Sequence, residues 1–278
     1  MFAIIFPKFH PIAIQLKSIS IYWYTITYAI SILLGMYYLI HIEQKYKIVG
    51  LNIDSTSELV LYVVIGIIIG GRLGYVVFYS PYILFSNVIE TLRIWHGGMS
   101  FHGGVLGVIL CTLIFSLRTN KNFLSLTDII SSVTPVGLFL GRIANFINAE
   151  LYGKVTNIGW AIIYPNSDNL PRHPSQIYEA IFEGVILLFL TSIILKVRYY
   201  IIRRKNLVNR NYGFLSGAFL FFYSTFRMIM EIFRESDPYI GHFFGFITIG
   251  QILCIPMILI GLVLILRDLF LDRNNNEQ

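Results

Sequence analysis

Seven apolar runs, each long enough to cross a bilayer, follow one another along the chain with short polar connections between them. A spanning helix needs about 20 mostly apolar residues. The runs fall at Ile19–His41, Ser57–Tyr79, Ser100–Leu117, Thr127–Ile147, Pro174–Val197, Gly213–Phe233 and Phe243–Leu266, the third being short. A smaller interfacial helix is expected over Pro81–Arg93, and the tail from Asp272 to Gln278 is expected to be disordered. The first run is longer than a signal-peptide core and lacks a small-residue cleavage site, so it reads as an uncleaved span. The pattern predicts an all-α, polytopic integral membrane protein with about seven transmembrane helices. No linker or internal repeat divides it, so residues 1–278 are expected to form a single transmembrane domain.

Composition sharpens this picture. The residues are 56% hydrophobic and 13% charged, against about 25% charged in soluble domains. The net charge of +6 therefore belongs to basic loops at a membrane surface, not to nucleic-acid binding. One set of connections holds 12 of the lysines and arginines, and the other holds six. The positive-inside bias places the N-terminus outside and the C-terminus in the cytoplasm. Cys111 and Cys254 lie inside apolar spans and read as small hydrophobes. There is no Walker loop, no His-Glu-x-x-His and no cysteine cluster, so neither metal nor cofactor is expected.

The remaining three basic residues, Arg72, Arg142 and Arg227, sit within spans. Ionisable residues at membrane depth are costly and usually functional. Tracing the direction of each span brings Tyr24, Arg72, His102, Arg142, Asn145, Glu150, Tyr223, Arg227 and Glu231 toward the same, outer face. Tyr223, Arg227 and Glu231 share one helix face at i, i+4, i+8. Arg142 lies in Gly141-Arg142-Ile143-Ala144-Asn145, with Asn145 one turn later, and His102 follows the turn Gly97-Gly98-Met99-Ser100. Structural alternatives stand beside each: an internal Arg–Glu pair, snorkelling of Arg142, anchoring by Arg72, a hydrogen-bonded structural histidine. Asp128 is expected at the inner start of the fourth span, where a helix N-terminus favours an acid. His173-Pro174-Ser175-Gln176 reads as a helix start, its Ser175 and Gln176 either capping and packing or touching a ligand. Glu179 and Glu183 follow at i, i+4, so one should be protonated or paired with an arginine. Two arginines facing a membrane pocket suit a phosphate, because guanidinium forks bind its oxygens and stay ionised when buried. In lipid that phosphate is a phospholipid headgroup. The chain offers no clear nucleophile, so a second substrate must supply one, with His102 or a carboxylate taking its proton.

On Trp23-Tyr24, Gly70 to Tyr75, Trp95 to Gly104, Gly141 to Gly153, Arg172 to Glu179 and Phe226 to Asp237, the chain resembles bacterial prolipoprotein diacylglyceryl transferases along nearly its whole length. The resemblance implies transfer of a diacylglyceryl group from phosphatidylglycerol to the lipobox cysteine of preprolipoproteins, forming a thioether and releasing glycerol-1-phosphate. It implies an inner-membrane enzyme whose site faces the periplasm, with signal peptides and membrane lipids as partners. It matches Tyr24, His102, Arg142, Asn145, Glu150, Gly153, Arg227 and Glu231 residue by residue. His102, Arg142 and Arg227 are the expected catalytic residues, with His102 as proton acceptor. Tyr24, Arg72, Asn145, Glu150, Gly153, Tyr223 and Glu231 are expected to line the substrate. Ala144 and Ala149 depart from the family's usual glycine, and the loop from Thr156 to Pro171 is short for the family. A transporter of an anionic substrate is the rival reading. It is disfavoured because transporters often carry internal repeats and midplane sites.

Overall fold

The computed structural model describes residues 3–7, 9, 12–16, 19–83, 88–93, 97–165, 167–204, 212–235, 242–243 and 247–274. Among these, six helices are long and apolar enough to cross a membrane, and a shorter apolar one joins them. They are α1 (Trp23–Tyr46), α2 (Ile53–Tyr79), α3 (Phe101–Thr119), α4 (Phe123–Ile147), α5 (Ser175–Arg204), the shorter α6 (Phe214–Met230) and α7 (Ile249–Asn274). The protein is a mostly helical, multi-pass membrane protein.

Local chemistry sets several boundaries. Asn52 caps α2 by accepting from the Ser55 amide at 2.7 Å, and Ser100 caps α3 by accepting from Gly103 at 3.2 Å. Each cap satisfies a donor that the first helical turn leaves unpaired. Asn122 does the same for α4 through the Ser125 amide at 3.1 Å. That helix therefore starts at Phe123, and Asp128 stands in its second turn, not at its N-terminus as expected.

The ends of the predicted first and seventh spans are not helical. Ile19–Tyr22 is strand β3, which pairs antiparallel with β2 (Ile12–Leu16). The alternation Ile-Ser-Ile-Tyr has the two-residue period of a strand, and overall hydrophobicity concealed it. In the same way Phe243 belongs to β6 (His242–Phe243), paired with β7 (Ile247–Thr248), and α7 starts only afterwards. Three short strands form the remaining sheet, in the order β1 (Ile4–Ile5), β4 (Ile162–Ile163), β5 (Pro171–Arg172). Helix α7 continues to Asn274, so Asp272 to Asn274 are helical and not a loose tail, while 275–278 lie outside the described residues. Of the expected interfacial helix, Tyr82–Ile83 and Val88–Leu92 are helical, and 84–87 lie outside the described residues.

The fold gathers into two compact units, Met1–Gly35 with Ile130–Gln278, and Met36–Ile129. In the second unit α2 and α3 meet along a glycine seam. A Cβ on Gly70 would lie 2.3 Å from the Gly103 carbonyl oxygen, and one on Gly66 would lie 2.6 Å from that of Gly107. Small residues four apart let two membrane helices bring their backbones together. In the first unit α6 packs on α7, with Gly217 against Gly261 at the crossing. Helix α5 carries a wide π turn at Ala180–Ile186. Such turns are rare and concentrate at functional sites.

Candidate active site

The π turn holds the centre of the site. Glu179 ends the α-helical first turns of α5, and Glu183 lies within the wide turn. Both side chains are fully buried. Two carboxylates of one helix cannot stay buried and ionised without partners, and here the partners are arginines from other elements. Arg142, on α4, lies 2.9 Å from Glu179 Oε2 as an ion pair and donates to Glu183 Oε2 at 3.0 Å. Arg227, on α6, reaches Glu179 Oε1 at 3.0 Å and Glu183 Oε1 at 3.6 Å, while its second terminal nitrogen lies 2.9 Å from Glu231 Oε2 as an ion pair. Arg234 joins at 3.4 Å from Glu179 Oε1. The two arginines read from the sequence as one phosphate grip thus meet on one pair of carboxylates. Tyr223 is buried one turn before Arg227, stacked on Phe219 with centroids 5.7 Å apart.

A second arm extends from the end of α4. Asn145 donates through Nδ2 to the Tyr24 hydroxyl, which donates to Glu150 Oε2 at 3.0 Å. Arg142 lies within electrostatic reach of that hydroxyl. The backbone around Glu150 is unusual, since Ala149 and Leu151 both adopt left-handed conformations, with φ of 54° and 55°. For a residue with a Cβ this costs about 1–2 kcal/mol, and such strain often marks functional loops. The loop is pinned from α5. Gln176 Nε2 donates to the Glu150 carbonyl at 2.6 Å, and Ser175 Oγ donates to that of Leu151 at 3.0 Å. Gln176 is itself oriented by the Tyr164 hydroxyl, which donates to its Oε1 at 3.0 Å. Burial raises the Tyr164 phenol well above its ordinary range, so it remains a neutral donor. Ser175 and Gln176 therefore position the loop.

Gly153 has a steric requirement. A Cβ there would lie 2.5 Å from the Phe233 carbonyl oxygen and 2.7 Å from His173 Cβ. The Gly153 amide donates to the His173 carbonyl at 2.9 Å, and Arg172 Nη1 donates to the Gly153 carbonyl at 3.1 Å. Arg172 also pairs with Asp168 and Glu235, each at 2.8 Å. This cross-bracing holds the segment after Glu150 against the end of α6.

Arg72 and His102 belong to the second unit. Arg72 is 4% exposed, and its guanidinium faces backbone. It donates to the carbonyls of Thr91 at 3.0 Å and Glu90 at 2.6 Å, and to that of Gly97. Its plane lies 5.8 Å from the Tyr75 ring centroid. In this arrangement Arg72 anchors the loop before α3. His102 is exposed in the first turn of α3, its ring edge-on to Phe101 at 5.6 Å. Its imidazole forms no hydrogen bond with the described residues and is open to a ligand. Among the described residues no group of three or more His, Cys, Asp or Glu could hold a metal ion.

Comparison with known proteins accounts for nearly the whole chain. Residues 11–267 match the family model described as prolipoprotein diacylglyceryl transferase. The chain is 48% identical over 262 residues to the phosphatidylglycerol–prolipoprotein diacylglyceryl transferase of Rickettsia bellii (strain OSU 85-389), covering 94% of this chain and 96% of that protein. It is 49% identical over 263 residues to the enzyme of the same name from Rickettsia felis, covering 95% and 98%. The chain belongs to the prolipoprotein diacylglyceryl transferase family.

Proposed function

We propose that this protein transfers the diacylglyceryl group of phosphatidylglycerol to the thiol of a prolipoprotein's lipobox cysteine, an early step of lipoprotein maturation. The observation that carries the reading is the meeting of Arg142 and Arg227, from separate helices, on the Glu179–Glu183 pair. Fixed guanidiniums in a water-poor setting bind a phosphodiester and stabilise the charge that grows on it as the C–O bond breaks. The sulfur forms its bond to the glyceryl carbon, the electron pair of that carbon's C–O bond passes to the phosphate oxygen, and glycerol-1-phosphate leaves.

The thiol must lose its proton, since the thiolate is the nucleophile and an unperturbed cysteine has a pKa of about 8.5. His102 is assigned that proton on its imidazole chemistry. Glu231 holds Arg227 in place, while Tyr24, Asn145 and Glu150 form the polar wall beside Arg142. Arg72 supports the chemistry by anchoring its loop. The proposed setting is the bacterial inner membrane, the site toward the periplasm, with residues 1–278 working as one catalytic domain. No cofactor is required by this scheme.

Purified protein incubated with phosphatidylglycerol and a lipobox peptide should yield a peptide heavier by one diacylglyceryl group and release glycerol-1-phosphate. Replacing the peptide's cysteine by serine should abolish both products. Lipid or anion movement without either product would replace the transferase reading with transport.

A further inference from the structure

Three guanidiniums (Arg142, Arg227, Arg234) and three carboxylates (Glu179, Glu183, Glu231) form one connected ionic cluster in the first unit. With every group ionised, the cluster is neutral. A phosphodiester carries one negative charge. Its entry between Arg142 and Arg227 leaves an excess anion where charge is poorly solvated, and an uncompensated buried charge is strongly destabilising. The grip also draws guanidinium N–H groups away from the carboxylates they now hold.

The carboxylates are not equally held. Glu179 is touched by all three arginines, at 2.9, 3.0 and 3.4 Å. Among the described residues Glu183 pairs with Arg142 and Arg227 alone, at 3.0 and 3.6 Å, and lacks the third arginine that Glu179 has. Those are the two arginines a headgroup would engage. Glu231 pairs with Arg227 alone among the described residues, at 2.9 Å, and remains 9% exposed. The other groups facing Glu183 are Tyr223 on α6 and Cys254 on α7, both within electrostatic reach and neither of them a cation. Neither can replace a departing guanidinium. Glu183 also sits in the π turn, where the backbone departs from regular α-helix.

We propose that Glu183 takes up one proton from solvent when an anionic phosphodiester headgroup binds Arg142 and Arg227, so that the cluster stays neutral with lipid bound. The inference rests on reading the arginine pair as the headgroup site. Glu183 is thereby a positioning residue: ionised, it aligns the arginines, and neutral, it releases them to the phosphate.

The test is calorimetric titration of the full-length protein in detergent with short-chain phosphatidylglycerol, repeated in buffers of different ionisation enthalpy. The wild type should take up about one proton per lipid, and its apparent Kd should weaken roughly tenfold per pH unit on the alkaline side of the transition. Glu183→Gln should bind without proton uptake and with a flat pH profile, and Glu183→Asp should restore both. Absence of uptake in the wild type, or undiminished uptake in Glu183→Gln, overturns the proposal. Should Glu183→Gln not fold, the wild-type buffer series decides alone, and a pH-independent Kd rejects the idea. Thioether formation without proton uptake would remove this inference and leave the transferase reading. Proton-linked lipid binding without thioether formation would do the reverse.

Discussion

Buried charge is satisfied in two different ways in the two units. In the second unit, Glu43 accepts from the backbone amides of Val49, Gly50 and Leu51 at 3.0, 2.9 and 3.0 Å, and Arg72 donates to backbone carbonyls. In the first unit, Arg142, Arg227, Glu179, Glu183 and Glu231 are satisfied by one another. A backbone partner cannot leave without unfolding its loop, so Glu43 and Arg72 serve as anchors. A side-chain partner can rotate away or take a proton, so the second arrangement can exchange one partner for a ligand. An ion paired with main chain supports a fold, and an ion paired with other ions can support a site.

The sharpest way to break this contrast is to remove one arginine of each kind. Arg142→Ala or Arg227→Ala should lower turnover at least about 100-fold, the scale of losing a preorganised donor to a developing anion. Lysine at either position should not restore it, because a point charge cannot bridge two groups as a guanidinium fork does. Arg72→Ala should act instead on stability, releasing the four backbone carbonyls of Glu90, Thr91, Gly97 and Gly98 and lowering the Tm, with a much smaller loss of turnover per folded molecule. Thioether assays paired with thermal unfolding measure both. Equal turnover losses for Arg72→Ala and Arg142→Ala would erase the distinction.

Among carboxylates the same contrast is smaller. Glu43→Gln keeps the shape but removes a charged acceptor from three amides, and hydrogen bonds to charged groups are worth about 1.5–3 kcal/mol. We expect a stability loss of about 2 kcal/mol on that scale, with lipid binding and its pH dependence unchanged. Altered proton uptake in Glu43→Gln would show that backbone-held charge also communicates with ligand.

How far the sequence reveals these features follows from the physics of each. The spans were legible because twenty apolar residues have few other uses, but the hairpin at Ile19–Tyr22 was not, since a strand and a helix can share that composition. Arg142, Arg227 and Glu231 stood out because charge at membrane depth needs a reason. Glu179 and Glu183 gave a signal too, as like charges one turn apart that required a cation. Which cation was a tertiary fact: the spacing within α5 says nothing about α4 or α6. Arg234 lies just past the predicted sixth span, and only the turn after α6 brings it to Glu179. Arg72 illustrates the converse, for nothing in a sequence states which way carbonyl groups point.

The strained turn at Glu150 offers a smaller test. Ala149 adopts φ of 54°, which explains why the resemblance expected glycine there: glycine carries no steric penalty in that region. Ala149→Gly removes about 1–2 kcal/mol of left-handed strain and loses about 0.5–1 kcal/mol to the greater freedom of the unfolded chain. The expected net is a stabilisation of less than about 1 kcal/mol, read as a modest rise in Tm. If turnover falls while Tm rises, the strain serves to aim Glu150. If both are unchanged, the side-chain network alone holds it.

The smallest effect concerns a mixed case, where one arginine is held by both kinds of partner. Arg172 donates to the Gly153 carbonyl and to the carboxylates of Asp168 and Glu235. The hydrogen bond from Arg172 holds the Asp168 carboxyl below its ordinary range. Beside this brace, burial and then the nearby Lys154 hold the His173 imidazole below its ordinary range. Both depressed values act in one direction, because in each case the unfolded chain binds protons more readily than the folded one. The His173 contribution is complete above about pH 6.5 and declines as the pH falls through that value toward the folded pKa. The Asp168 contribution is complete above about pH 4 and declines below it. Thermal unfolding from pH 8 to pH 3 should therefore show two small steps downward, the first missing in His173→Gln and the second in Asp168→Asn. The Gly153 contact, having a backbone acceptor, should persist through both. Cleavage of the 153–172 loop by an acid-active protease, unchanged through both steps, would place Arg172 with the anchors. Release at the second step, as Asp168 is protonated, would place it with the exchangeable ions.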